Sequence, residues 1–264
     1  MRRFFVPPEN VSENTIIIDD RNDLHHMIKV LRLSEGDRIA ISDSQEWEYQ
    51  AELVRLDSDG AEAAILDKQR FTAEPETKIT LFQGIPKQGK MELIVQKAVE
   101  LGASDIVPVF MKRTVVTDKG NFGKKIQRWQ KISDEAVKQC KRGVIPEVHD
   151  AVKMDEAISR FGGFDMVLFP YENELGTTIK DVLRAAVSQG CGNGSDSDGS
   201  DDAKPAGRPV SVAVMIGPEG GFSDEEAKAV VEAGGLSVSL GKTTLRTETA
   251  GLAAIAMIMY ELEL

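Results

Sequence analysis

The sequence predicts an α/β protein in two parts: a C-terminal parallel sheet with helices on its faces, and a small N-terminal β-barrel. Three observations predict it. From residue 78 onward, short apolar β-rich runs alternate with segments of helical periodicity. That order is the signature of a parallel sheet with crossover helices. Residues 1–73 instead carry short runs split by Gly, Asp and Ser, as in small all-β units. Between the two lies the polar stretch AEPETK at 73–78, a plausible linker.

The N-terminal strands are expected at 14–19 (NTIIID), 37–43 (DRIAISD), 47–57 (WEYQAELVRLD) and 60–69 (GAEAAILDKQ), with a short helix from residue 23 leading into a loop. In the second part, strands are expected at 78–85, 105–110, 165–172, 210–217 and 236–241. Helices are expected at 89–103, 124–142, 177–189 and 223–234, with an apolar terminal helix following the last strand. The first ends at a Gly102 stop signal, and the second is apolar at Ile126, Trp129, Ile132, Ala136, Val137 and Cys140. This gives domains at 1–73 and 74–264. The Gly/Ser/Asp-rich stretch at about 190–209 has no apolar pattern and reads as a disordered surface insertion.

Composition narrows the class. A chain of 264 residues with 41% hydrophobic and 28% charged residues is an ordinary soluble globular protein. MRRFFVPPEN is too short in apolar residues for a signal peptide. The longest apolar run, 252–260, is about half a membrane span. Two cysteines, Cys140 and Cys191, without paired spacing fit a reducing cytosol. His25, His26 and His149 have no metal-ligand partner at helical spacing, so no metal is expected. The net charge of −11 argues against nucleic acid at first sight. Yet residues 110–143 carry ten Lys/Arg against three acids, a local net of +7. Such a patch can contact phosphates even on an anionic protein.

In open parallel sheets, ligands bind beyond the carboxyl ends of the strands. Three strand ends here carry unusual loops: FPYE (169–172), IGPEGGFSDEE (216–226) and LGKTTLRTETA (240–250). Three glycines and a proline in GPEGGFS offer a backbone surface that a flat ligand can approach closely. Ser223 with Glu226 three residues on forms a capping box for the next helix. Gly241-Lys242-Thr243-Thr244 resembles a phosphate loop, but the required first glycine falls on Leu236, with Gly235 one residue too early. Too little chain follows for a nucleotide domain. Arg246 and Glu248 stand at the entrance of a small-residue apolar helix, as a structural ion pair or as active-site groups. That helix is expected to be buried in the core or against a second copy.

Taken together, RRFF, HHMIKVLR (25–32) with Gly36-Asp37, QKAVELGASDIVPV (96–109), EAVKQCKR (135–142) with IPEV (145–148), IGPEGGFSDEE and LGKTTLRTETA resemble the RsmE family. These are bacterial 16S rRNA uridine N3-methyltransferases of the SPOUT class. The resemblance spans nearly the whole chain outside 190–209. It implies an N-terminal PUA-like RNA-binding barrel and a C-terminal SPOUT domain with a deep trefoil knot, working as a cytoplasmic homodimer on 16S rRNA or the small subunit. It implies S-adenosylmethionine bound by Leu168, Phe169, Pro170 and Glu172, by Ile216, Gly217, Gly220 and Gly221, and by Leu240, Gly241, Leu245, Arg246, Thr249 and Ala250. Arg246 would stabilise charge on a uracil carbonyl, and Glu248 or Glu219 would take the N3 proton, or Glu248 would orient Arg246. Candidate RNA contacts are Arg2, Arg3, His25, Arg32, Arg113, Lys124, Lys125 and Arg142. The chain departs from the family at Thr114, where serine is usual, and at Lys141, where glycine is common. Two rival functions are a catalytically silent RNA-binding protein of ribosome assembly and a SPOUT enzyme acting on a ribose 2′-hydroxyl.

Overall fold

The computed structural model describes residues 3–71, 74–117, 120, 122–190 and 210–264. Arg2 and the insertion expected at about 190–209 therefore lie outside the described residues. The chain divides into two compact units, Met1–Glu74 with Val137–Ile145, and Pro75–Ala136 with Pro146–Leu264.

The first unit is a five-stranded sheet of β1 (Arg3–Phe5), β2 (Thr15–Ile18), β3 (Arg38–Ser42), β4 (Trp47–Leu56) and β5 (Ala61–Arg70). The order is β1-β3-β4-β5-β2; β1 runs parallel to β3 and the other pairs are antiparallel. Register shifts in the β4–β5 ladder bend the long strands. Phe4, Ile16, Ile18, Met27, Ile39, Ile41 and Leu53 fill the interior. The expected short helix is α1 (Arg21–His25), capped by the Asp20 carboxylate, and it continues as a π-helical turn over His26–Leu31.

Segment 137–145 joins this unit through polar contacts that sequence periodicity does not reveal. Arg3 donates to the carbonyls of Lys141 and Arg142 and pairs with Glu48 at 2.7 Å. Glu74 accepts from the Arg142 guanidinium at 2.9 Å and from the Gly143 amide at 2.6 Å. Both side chains of the Arg142–Glu74 pair are buried. Lys141 sits just past a helix end with φ +61°, the left-handed region that glycine adopts without strain.

The second unit is a parallel sheet of β6 (Lys78–Gly84), β7 (Asp105–Phe110), β8 (Glu147–Val148), β9 (Val152–Lys153), β10 (Met166–Pro170), β11 (Ser211–Ile216) and β12 (Leu236–Val238). The order is β12-β10-β11-β6-β7-β8, with β9 also on β7, and every pairing is parallel. Helices α2 (Lys90–Glu100), α3 (Phe122–Cys140), α4 (Met154–Ser159), α5 (Ile179–Gly190), α6 (Asp224–Glu232) and α7 (Thr247–Leu262) make the crossovers and cover the sheet. Strand β11 is buried along almost its whole length, as a central strand covered on both faces must be. Helix α3 buries Phe122, Trp129, Ala136 and Val137, while Lys124, Lys125, Arg128 and Lys131 are exposed.

The sequence pattern locates most of these elements. It misses β1, β8, β9 and α4, which are too short to show a period. Among the described residues no helix is long and apolar enough to cross a membrane.

Strand pairing also assembles a charged trio invisible to helical spacing. His149 Nε2 lies 2.8 Å from Asp105 and Nδ1 lies 3.4 Å from Glu147. The Asp105 hydrogen bond raises the imidazole above its ordinary pKa, against a smaller loss from burial and with help from Glu147.

Two stability predictions follow from these local geometries. Lys141→Gly relieves a left-handed non-glycine residue at the cost of a looser unfolded chain, and stabilises by roughly 0.5–1 kcal/mol. The check is a higher urea midpoint with unchanged slope. Because the folded pKa of His149 is raised, its contribution is complete below the unfolded value near 6.5 and fades as pH rises through the folded value. Thermal unfolding of His149→Gln should therefore fall furthest below the parent near pH 6 and converge with it in alkaline buffer.

Candidate active site

Strands β10, β11 and β12 end side by side, so the three loops singled out from the sequence meet at one edge of the sheet. They enclose a cavity of about 630 Å³, lined among others by Pro170, Glu172, Ile216, Gly217, Glu219, Gly221, Leu240, Gly241, Leu245, Arg246 and Ala250. This size is ordinary for a small-molecule site.

The glycine-rich loop takes its shape from backbone requirements. The Gly221 amide donates to the Pro218 carbonyl at 2.9 Å, and Gly221 has φ +65°. Gly84, at the end of β6, lies beneath it: a Cβ there would stand 2.6 Å from the Pro218 nitrogen. Phe222 turns inward and packs edge-on against Phe169, ring centroids 4.6 Å apart. Ser223 and Glu226 form the expected capping box of α6.

Thr247 fixes the loop to the start of α7. Its buried hydroxyl donates to the Gly217 carbonyl at 2.6 Å and accepts from Gln83 Nε2 at 2.9 Å. The third loop is held by Ser239, whose amide donates to Thr177 and whose carbonyl accepts from Ile179. Gly241 follows with φ +137°. Around the first loop, Glu174 accepts from the amides of Gly176 and Thr177, which hold its carboxyl below the usual range.

The charges arrange themselves differently from the sequence expectation. Glu248 pairs with Lys90, not with Arg246: Lys90 Nζ is 3.2 Å from Glu248 Oε2 and 3.0 Å from Glu219 Oε1. The Glu248 contact is an ion pair short of hydrogen-bond geometry, since that buried oxygen has no hydrogen-bond partner. Arg246 is exposed on the cavity wall and makes no ion pair among the described residues. Its φ and ψ are extended, and its carbonyl accepts the amides of Thr249 and Ala250.

The pairing with Glu219, then that with Glu248, raises the Lys90 ammonium above its ordinary pKa, against some burial. Burial pushes the Glu219 carboxyl up, but Lys90 and the amides of Glu219 and Lys87 outweigh it, leaving the group below its ordinary value. Glu248 is lowered first by its own amide, against some burial, and then by Lys90 and Arg246.

Several expected cofactor residues stand behind the cavity, not on it. Leu168 and Phe169 are fully buried in the core beneath the loops. Gly220 and Thr249 are exposed outside the lining. Lys90 and Val238 line it from outside the three expected loops, and Tyr171 and Thr247 line it from within them without having been named as cofactor contacts. Lys90 had a faint signal: a cation opening a helix runs against the helix dipole, which marks a residue kept there for another reason.

The RNA-contact candidates also sort. Arg142 is buried against Glu74, and Arg3 is engaged with Glu48 and two carbonyls inside the first unit. His25 and Arg32 are exposed there. In the second unit Lys124 and Lys125 are exposed, and Arg113 donates to the Gly220 carbonyl at 2.8 Å, beside the glycine-rich loop. Lys124, Arg128 and Lys131 line a shallow hollow of about 320 Å³ on α3.

Residues 73–259 match a family model described as an RNA methyltransferase domain, and residues 18–66 match an RNA methyltransferase PUA domain. The chain is 30% identical to the ribosomal RNA small subunit methyltransferase E of Bacillus subtilis, covering 100% of this chain and 98% of that one. It is 28% identical to the protein of that name from Mesomycoplasma hyopneumoniae, over 96% of both. Among solved structures it superposes with a TM-score of 0.77 on a ribosomal RNA small subunit methyltransferase E from Neisseria gonorrhoeae bound to S-adenosyl methionine, at 31% identity over 98% of this chain and 97% of that one. The parallel-sheet α/β domain and the PUA-like N-terminal unit expected from the sequence are both found. With a methyltransferase domain model over most of its length and end-to-end relatives, the chain belongs to the ribosomal RNA small subunit methyltransferase E (RsmE) family.

Proposed function

We propose that this chain transfers a methyl group from S-adenosylmethionine to N3 of a uridine in 16S rRNA, in the cytoplasm, with the small subunit or its RNA as substrate. The observation that carries the reading is the cavity at the ends of β10, β11 and β12 with an exposed arginine, Arg246, on its wall that makes no ion pair among the described residues. Similarity to a relative crystallised with S-adenosyl methionine supports the cofactor. The lining fits such a ligand: Ile216, Val238, Leu240 and Ala250 give apolar surface, and the Gly217–Gly221 backbone gives polar groups that flat rings can approach.

When bound, the cofactor supplies a methyl carbon already activated by a positive sulfur, so no metal is needed for the transfer. The chain's own contribution is alignment and charge. Gly217, fixed by Thr247 and Gln83, sets the position of the loop that would hold the methyl donor. Arg246 offers its guanidinium to a uracil carbonyl oxygen as N3 becomes anionic. N3 is hidden in a paired base, so the target uridine is unpaired or flipped out. Exposed basic residues of α3 and Arg113 contribute phosphate contacts. In this reading residues 1–73 form the RNA-binding domain and 74–264 the catalytic domain. The knotted threading belongs to it too. Its support is that the chain leaves the edge strand β12 and returns as α7 to pack over the central strands β11 and β6.

The homodimer is part of the proposal. Helix α7 buries Gly251, Ala254, Ile255, Ile258 and Leu262 but leaves Ala256, Met257 and Tyr260 exposed. An apolar helix with an uncovered side suits a second copy. Sedimentation should give twice the monomer mass, and Met257→Lys with Tyr260→Lys should shift it toward the monomer.

Calorimetry and transfer assays on Arg246→Ala test the main reading. The parent should bind S-adenosylmethionine; the variant should keep its affinity within a few-fold but lose about 10²–10³ in methylation rate. No binding by the parent favours a silent RNA-binding protein and sinks the proposal.

A further inference from the structure

Lys90 opens α2, a helix anchored in the core by Met91, Ile94, Val95 and Ala98. Its ammonium reaches Glu219 of the glycine-rich loop at 3.0 Å and Glu248 of the first turn of α7 at 3.2 Å. Glu219 also accepts the Lys87 amide, at 3.1 and 3.2 Å to its two oxygens. Glu248 Oε2 is buried, and Lys90 is the cation paired with it. A single ammonium at the start of α2 thus joins the glycine-rich loop and the first turn of α7, two segments that both line the cavity. Arg246 and Lys242 are further cations on the lining, and Glu172 and Glu174 further carboxylates.

We propose that Lys90 is a positioning residue for methyl transfer: it ties the glycine-rich loop to α7 and holds Glu219 and Glu248 in ion pairs, leaving neither free to accept the N3 proton. The proposal rests on the methyltransferase reading above. A general base must be accessible and have proton affinity matched to the working pH. Here the ammonium, the backbone amides and the α7 N-terminus all stabilise the carboxylate form, and protonating either group would break its pair with Lys90. The proton therefore goes to water. N3–H loses it to solvent, the N3 electron pair forms the N–CH3 bond, and the S–CH3 electrons return to sulfur as the neutral thioether.

The test uses full-length Lys90→Gln, Lys90→Arg, Glu219→Gln and Glu248→Gln. Hydrogen exchange on the ligand-free protein reads the clamp independently of activity. Lys90→Gln should accelerate exchange at 217–222 and 247–251 together, and Lys90→Arg should restore most protection. Single-turnover methylation should fall roughly 10–100-fold in Lys90→Gln, as misalignment by about an ångström does, and recover with arginine. The logarithm of the rate should rise with pH at one common slope in the parent and both glutamine variants of the acids. Unchanged exchange and rate in Lys90→Gln overturn the proposal, and so does a flattened pH profile in Glu219→Gln or Glu248→Gln. A parent that binds no S-adenosylmethionine removes the methyltransferase reading, while the exchange result still decides whether the clamp exists.

Discussion

The Thr247 hydroxyl makes one site out of three distant stretches of chain. It is buried between the Gln83 amide and the Gly217 carbonyl, and a buried carbonyl without a donor costs about 1–3 kcal/mol. Through that one group the end of β6, the loop after β11 and the entrance of α7 hold a single relative placement. Gly84 adds the steric half of the constraint, because any side chain there would strike Pro218. Both features are polar or steric accommodations within a well-packed sheet, and the cavity exists because the strand ends cannot slide past them.

Charge is organised around that frame. Glu219 and Glu248 share Lys90 and Glu174 is held by a pair of amides, whereas Arg246 makes no ion pair among the described residues. A site that handles a developing anion gains from an uncommitted cation and from carboxylates kept at a distance by other groups. Elsewhere the local excess of basic residues read from the sequence divides into two physical classes. Lys124, Lys125, Arg128 and Lys131 face solvent from α3, while Arg142 is consumed in the buried pair that attaches 137–145 to the first unit. Net charge of −11 describes neither.

The sheet was legible because its strands are continuous apolar runs; VAVMI in β11 has no other place than the middle of a covered sheet. The three loops were legible because glycines and a proline directly after buried strands mark backbone that must do something unusual. Side-chain pairing was not. Periodicity ranks Arg246 and Glu248 as neighbours two residues apart, yet Glu248 turns to Lys90, more than 150 residues earlier in the chain. The same blindness hid Glu74 beneath Arg142 and brought His149 between Asp105 and Glu147 without warning. Lys141 is the reverse case: a departure from the usual glycine noticed in the sequence acquires its meaning only from the φ of +61°.

The chemical identity of the product tests the account most directly. Small-subunit particles from a strain lacking the corresponding gene, incubated with this protein and S-adenosylmethionine, would be digested to nucleosides and resolved by mass spectrometry. The account predicts 3-methyluridine, absent before incubation and present after it. A ribose-methylated nucleoside, or no new methylated nucleoside at all, would contradict it.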